Sequence, residues 1–253
     1  MTAAVAALLA ELDLTPKPGL VDREHRGAHR DMDAERMDAG ARALDVTFAA
    51  LERIGRDARV SSRELREEIG AVARAGERVM LRATGGVNTH RGALWSLGLL
   101  ATAAALEGTT SAAAIAQRAA QLARIEDRFS PKRASHGVRV EQRYGVRGAR
   151  GEAAAGFPAT LQIALPIVRA GGPRSAANAL LAVIAQLEDT CLLHRGGARG
   201  LQFARAHARR ALALGDESAL RTFDRALVAR GLSPGGSADT LAAALFLAKR
   251  TPV

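Results

Sequence analysis

The sequence predicts an all-α protein: a single compact domain of many helices over residues 1–253, packed around a buried central helix, with its active site built from inter-helix loops. Three observations carry this. Of the 253 residues 48% are apolar, dominated by Ala and Leu with few β-branched or aromatic residues, a balance that favours helix over sheet. Apolar residues recur at spacings of three and four along most of the chain, and the only period-two stretch is a short Val138-Arg139-Val140. Finally, Gly92–Leu106 runs fifteen residues without a charge. That is short of the roughly 18–20 that span a membrane and long for a strand. A helix apolar all round belongs among other helices, so Ala93–Leu106 is the expected central helix, with Trp95 its one large anchor.

The first element is a short amphipathic helix, MTAAVAALLAELDL, which lacks a basic leader and meets Glu11 and Asp13 early, unlike a signal peptide. Leu14–Asp22 follows, where two prolines and a glycine forbid helix. Residues 34–56 carry Met37, Ala41, Leu44, Phe48 and Leu51 on one helical face. Ser61-Ser62-Arg63-Glu64 reads as a capping box opening a helix with Leu65, Ile69, Val72 and Val79, ending near Leu81. The polar turn Thr84–Gly92 then leads into the central helix, where free N–H groups and the helix dipole favour anions; ordinary capping by Asn, Thr and His is the alternative. Thr110/Ser111 opens another helix, with Ile115, Leu122, Ile125 and Phe129 on one face. Ser130–Pro158 breaks the pattern with five glycines, two prolines and Arg133, Arg139, Arg143, Arg147 and Arg150, and reads as a long functional loop. Its apolar Val138, Val140, Tyr144, Val146 and Phe157 argue against disorder. Helices are expected again at about 174–189, 199–214, 217–230 and 237–250, the last with Ser237 as N-cap. No repeat and no linker divides the chain.

The net charge is +10, nearly all of the excess from arginine. This suits a polyanionic partner, yet one Tyr, one Trp and six Phe give few base-stacking platforms, and no zinc-finger or RNP-type pattern appears. Phosphorylated small molecules satisfy the same charge; nucleic acid and membrane are not expected as partners. The single cysteine, Cys191, excludes an internal disulfide, fits a reducing, cytoplasmic setting and reads as a small core residue.

Several polar residues stand out chemically. Asp31 and Asp33 alternate beside His25 and His29, a pattern that suits a hard divalent cation or a solvated charge run. Arg147 and Arg150 flank glycines, offering guanidinium forks to phosphate oxygens. Glu152 amid this positive charge reads as a salt-bridge partner, a cation ligand or a base. Asp189 falls in the turn between two expected helices, and Asp239 in the first turn of the last, where capping alone would explain it. No Walker motif, dinucleotide fingerprint, HExxH or GxSxG is present.

The ordered turns say more than any one of them. LTPKPGLVD (Leu14–Asp22), GAHRDM (Gly27–Met32), GVNTHRGAL (Gly86–Leu94), YGVRGARGEAAAGFP (Tyr144–Pro158) and SPGGSAD (Ser233–Asp239) closely resemble, in order and spacing, the triphosphoribosyl-dephospho-coenzyme A synthase family. The RYGVRGARGEAAAGFP form resembles its malonate decarboxylase branch rather than its citrate lyase branch. The resemblance implies that ATP and 3′-dephospho-coenzyme A give 2′-(5″-triphosphoribosyl)-3′-dephospho-coenzyme A and adenine. The product would pass to a separate transferase that loads the acyl carrier protein.

Under that resemblance, Lys17, Arg91, Arg147 and Arg150 are expected on phosphate, with Asn88, Thr89 and the Gly85-Gly86 backbone on phosphate or ribose. Asp31, Asp33 and Glu152 are the carboxylates expected to hold magnesium or stabilise an oxocarbenium ion, Asp33 and Glu152 with catalytic roles. His90 or His29 would carry the proton, His29 also touching substrate. Asp189 and Asp239 are further metal candidates. Apolar helical surfaces make a homodimer plausible. Two other classes stay open: a metal-dependent all-α glycohydrolase of ADP-ribose type, and a basic nucleic-acid-binding protein.

Overall fold

The computed structural model describes residues 1–108, 111–131 and 136–252. Thr110 and Arg133 lie outside the described residues. Among those described, every regular element is helical, as expected; Val138-Arg139-Val140 lies in a helix rather than a strand.

The helices are α1 (Ala3–Asp13), α2 (Ala34–Ala43), α3 (Asp45–Asp57), α4 (Arg63–Ala83), α5 (Arg91–Glu107), α6 (Ala112–Arg124), α7 (His136–Tyr144) and α8 (Gly148–Ala154). A π-helical turn (Ala159–Ala164) runs into α9 (Leu165–Ala170), and α10 (Ser175–Gln186), α11 (Thr190–Leu214), α12 (Glu217–Val228) and α13 (Gly235–Arg250) complete the chain. Among the described residues no single helix is long and apolar enough to cross a membrane.

α5 is the axis of the fold. It packs against α1, α3, α4, α6, α8 and α13, and Leu97, Leu100, Ala101 and Ala103 on it are fully buried. Each buried leucine contributes about 1.5–3 kcal/mol, so packing adds to the helix propensity of this Ala- and Leu-rich run. Trp95 is only partly buried. It lies under guanidinium groups at the edge of the core, not at its centre.

Local chemistry revises several boundaries. The expected helix over 34–56 is two, α2 and α3, which turn at the fully buried Leu44, where the backbone tightens with bonds to Ala41 and Arg42. The turn lets α2 pack on α4 while α3 packs on α5. The cap of α4 is Ser62, accepting from the Leu65 N–H, rather than Ser61. α6 stops at Arg124, which leaves Phe129 64% exposed instead of on its apolar face.

The arginine-rich stretch is not one loop but carries α7 and α8. Val140 is buried and Tyr144 packs on the core, one turn apart, so α7 has an apolar face for α11. Gly145, at φ 72, ends it in the left-handed conformation that glycine adopts without a Cβ clash. α10 ends at Gln186, earlier than the expected 189, because Asp189 begins a new helix. α11 therefore starts at Thr190 instead of 199 and bends at Gly197 (φ 61, ψ −162).

Candidate active site

The N-termini of α5, α11 and α13 come together, and Asp189 ties two of them. Its Oδ1 accepts from the N–H groups of Cys191 (2.8 Å) and Leu192 (3.3 Å), capping α11. Its Oδ2 accepts from the N–H (2.7 Å) and hydroxyl (2.8 Å) of Ser237 in the first turn of α13. Ser237 is thus not the N-cap: α13 begins at Gly235, and the cap is lent by another helix. Burial raises the Asp189 carboxyl above its usual range, against the four bonds that pull it down. Both oxygens are engaged, so the side chain is a strut. Asp189→Ala removes the caps of two helices and leaves Ser237 unpaired; at about 1 kcal/mol per cap it is expected to cost about 2 kcal/mol, lowering the melting temperature by about 4–8 °C. A thermal melt checks this.

Beside this strut lie Glu11, Lys17, His90 and Asp239. Lys17 is 1% exposed, and its ammonium donates to Glu11 Oε1 (2.7 Å) and to the Glu11 carbonyl (3.1 Å) at the end of α1. Asp22 fixes the turn by accepting from the N–H of Lys17 (2.9 Å) and of Glu24 and His25. His90, buried ahead of α5, donates from Nε2 to the Met37 carbonyl (2.8 Å), which leaves Nδ1 as the unprotonated nitrogen. Burial pulls its pKa down, keeping the ring neutral.

Asp239, in the second turn of α13, reaches the start of α5. It accepts from the Ala93 N–H and fills the space that a side chain at position 92 would need: a Cβ on Gly92 would fall 2.0 Å from Asp239 Oδ2. Burial first, then the charges of Glu11 and Asp189, raise its carboxyl well above the usual range. Cys191 is half-buried at this same place rather than in the core. Burial and the two aspartates push its thiol up, so it is no ready nucleophile.

His29 adjoins the cluster through Ser233, just ahead of α13. Arg195 donates to His29 Nδ1 (3.2 Å), so the proton sits on Nε2 and goes to Ser233 Oγ (2.9 Å). Burial and then Arg195, opposed by Asp31, lower this ring to about 4. With both nitrogens occupied, His29 is an orienting group. Asp31 is exposed, 3.9 Å from His29 Nδ1. Asp33 caps α2 by accepting from the Arg36 N–H (2.9 Å).

The Thr84–Gly92 turn keeps its capping function: Asn88 accepts from the Arg91 N–H (3.1 Å), and Arg91 pairs with Glu77. Thr89 Oγ1 is buried without a partner among the described residues. Gly85 and Gly86 both have positive φ, with open space where a Cβ would stand. In α8, Gly148 lies against Thr190 beside the Asp189 strut. Arg147 is exposed, 3.7 Å from Glu141, and Arg150 covers the Trp95 ring. Glu152 is half-buried and caps the π-helical turn, Oε1 accepting from the N–H groups of Ala159 (2.7 Å) and Thr160 (3.1 Å); burial raises its carboxyl.

The fold therefore gathers Lys17, His90, Asp189 and Asp239, with His29 alongside. It does not gather the five carboxylates Asp31, Asp33, Glu152, Asp189 and Asp239: among the described residues no three His, Cys, Asp or Glu form a group that could hold a metal ion. The residues to which the sequence reading gave no role in the site are Glu11, Asp22, Ser233 and Arg195. Glu11 had a signal, since it falls in line with Ala4, Ala7 and Leu8 on the buried stripe of an apolar helix, where a charge needs a partner.

The class is an all-α protein in which helix N-termini converge on carboxylates and a neutral histidine, groups chemically suited to anions and to proton transfer. The family model described as CitG, ATP:dephospho-CoA triphosphoribosyl transferase, matches residues 1–252. A relative from Azotobacter vinelandii is 50% identical over 264 residues, covering 99% of this chain and 90% of the relative. Another from Stutzerimonas stutzeri is 48% identical, covering 98% and 90%. Both are named "probable 2-(5''-triphosphoribosyl)-3'-dephosphocoenzyme-A synthase". A Klebsiella pneumoniae relative carrying that name without the qualifier is 46% identical, covering 96% and 91%. No solved structure matches. The chain belongs to the ATP:dephospho-CoA triphosphoribosyl transferase family and is a transferase of that type.

Proposed function

We propose that this protein moves the 5-triphosphoribosyl group of ATP to the 2′-hydroxyl of 3′-dephospho-coenzyme A, releasing adenine. The product would serve malonate decarboxylase, through a separate transferase that loads its acyl carrier protein. The observation that carries the reading is the contrast between two neighbouring carboxyls: buried Glu11, ion-paired with Lys17, and half-buried Asp239 at the start of α5, which has no cation partner among the described residues. Neighbouring carboxyls in such different surroundings are suited to split acid and electrostatic roles.

In the transfer, the N-glycosidic bond of ATP breaks and a bond forms from the anomeric carbon to the 2′-oxygen. The proton lost by the hydroxyl is matched by one gained by adenine. His90 Nδ1 is suited to receive the first, since Nε2–H is held by Met37. Asp239, whose carboxyl burial and acidic neighbours push towards its protonated form, is suited to give the second. Asp189 holds α11 and α13 in register beneath them. Positive charge developing on the ribose would face the carboxylates of this floor. Arg147, exposed just ahead of α8, would act on the triphosphate or the second nucleotide.

Magnesium enters as part of the MgATP substrate. It keeps most of its ligands as water and phosphate and takes one or two carboxylates; Asp31, with its exposed side chain, is suited to this. The test is chromatographic: with magnesium, ATP and dephospho-coenzyme A, adenine is expected only when both nucleotides are present. Adenine from ATP alone would make the protein a glycohydrolase.

A further inference from the structure

A second cluster lies along α5, three residues beyond Gly92, or about 4.5 Å of helix rise. Here the Trp95 ring meets two guanidinium groups: Arg66 of α4 at 5.0 Å and Arg150 of α8 at 5.7 Å from its centroid. Asp127 holds Arg74 at 2.5 Å and Arg66 at 3.6 Å. The charges acting on Arg66 are thus one carboxylate, Asp127, against two further arginines, Arg74 and Arg150. Arg66 is 5% exposed, and a cation that deep with only a carboxylate shared with Arg74 is costly.

The cluster is shaped for its members. A Cβ on Gly70 would fall 2.1 Å from Asp127 Oδ2 and 3.0 Å from the Nη1 atoms of Arg66 and Arg74. Two donors remain buried and without a partner among the described residues: Arg66 Nε and Trp95 Nε1. Surplus positive charge and unused N–H donors call for an anion. Arg150, on α8, is exposed, so one member of the cluster stands at the surface.

We propose that Arg66, Arg74 and Arg150, set around the Trp95 ring, form an anion subsite that takes the phosphate chain of one of the two nucleotides. The identity of the nucleotide rests on the transfer reading above; the anion site does not. A ribose at the start of α5 would leave its phosphates one helical turn away, along the face that Trp95 occupies.

The protein carries one tryptophan, so its fluorescence reports on this place alone. Titrating the whole protein with inorganic tripolyphosphate, against sodium chloride at equal ionic strength, is expected to give a saturable fluorescence change. Arg150→Ala, at an exposed position, is expected to weaken the apparent affinity about tenfold or more, the size of one charge-assisted contact, with unchanged circular dichroism. No saturable change in the wild-type protein, or equal affinity in the variant, overturns the subsite. In turnover, a rise in KM for ATP alone assigns the triphosphate, and a rise for dephospho-coenzyme A alone assigns its diphosphate. A rise in neither overturns a role in substrate binding. Absence of turnover would count against the transfer reading but leave the fluorescence test intact.

Discussion

Asp239→Asn is expected to lose about 10²-fold or more in kcat for adenine release while folding as well as the wild-type protein. Asparagine keeps the shape and can still accept from the Ala93 N–H, but it has no proton to give. It also removes an acidic group from between Glu11 and Asp189, so the variant should melt at or above the wild-type temperature. The pH dependence follows from the raised carboxyl. In the folded protein Asp239 holds its proton to a higher pH than in the unfolded chain. The wild-type protein therefore loses stability from this group as pH rises above its ordinary range near 4, a loss that ends at the folded pKa. Asp239→Asn should lack that component of the pH–stability profile. Full activity in a folded variant would remove Asp239 from the chemistry.

Lys17→Met should act mainly on stability. It leaves the Glu11 carboxylate buried, without its cation, beside Asp239. Breaking a buried pair from one side costs about 3–5 kcal/mol, or a fall in melting temperature on the order of 10 °C for a chain of this size. Adding Glu11→Leu is expected to restore much of this loss, since two apolar side chains avoid the lone charge. The double variant should then be folded but impaired in turnover. If Lys17→Met melts like the wild type, the pair is not coupled as the 2.7 Å contact implies.

The helical class and the central helix were legible because an uncharged run of fifteen residues is decided by burial, which composition reports directly. Helix ends were less so. Leu44 is apolar and helical on both sides of the break, and only the packing of α2 and α3 on different partners reveals it. α7 and α8 hid behind glycines and arginines, because Val140 and Tyr144 have value as a helical face only when α11 is beside them.

The turns carrying Lys17, His90, Asp189 and Asp239 could be singled out from residue type alone. What joined them could not. Asp189 bonds across forty-eight residues to Ser237, and Glu11 reaches Lys17 from a helix that reads as plain core. The arginines show the opposite limit. Arg147 and Arg150 stood out beside glycines, whereas Arg66 and Arg74 look like the solvated face of α4 until Asp127 and Trp95 fold against them.

The most direct measurement follows the ribose. With ATP labelled in its ribose carbons, magnesium and dephospho-coenzyme A, one labelled triphosphoribosyl group should appear on the coenzyme A derivative for each adenine released. Label recovered as free ribose triphosphate, with dephospho-coenzyme A unchanged, would mean that water is the acceptor and that the transfer reading is wrong.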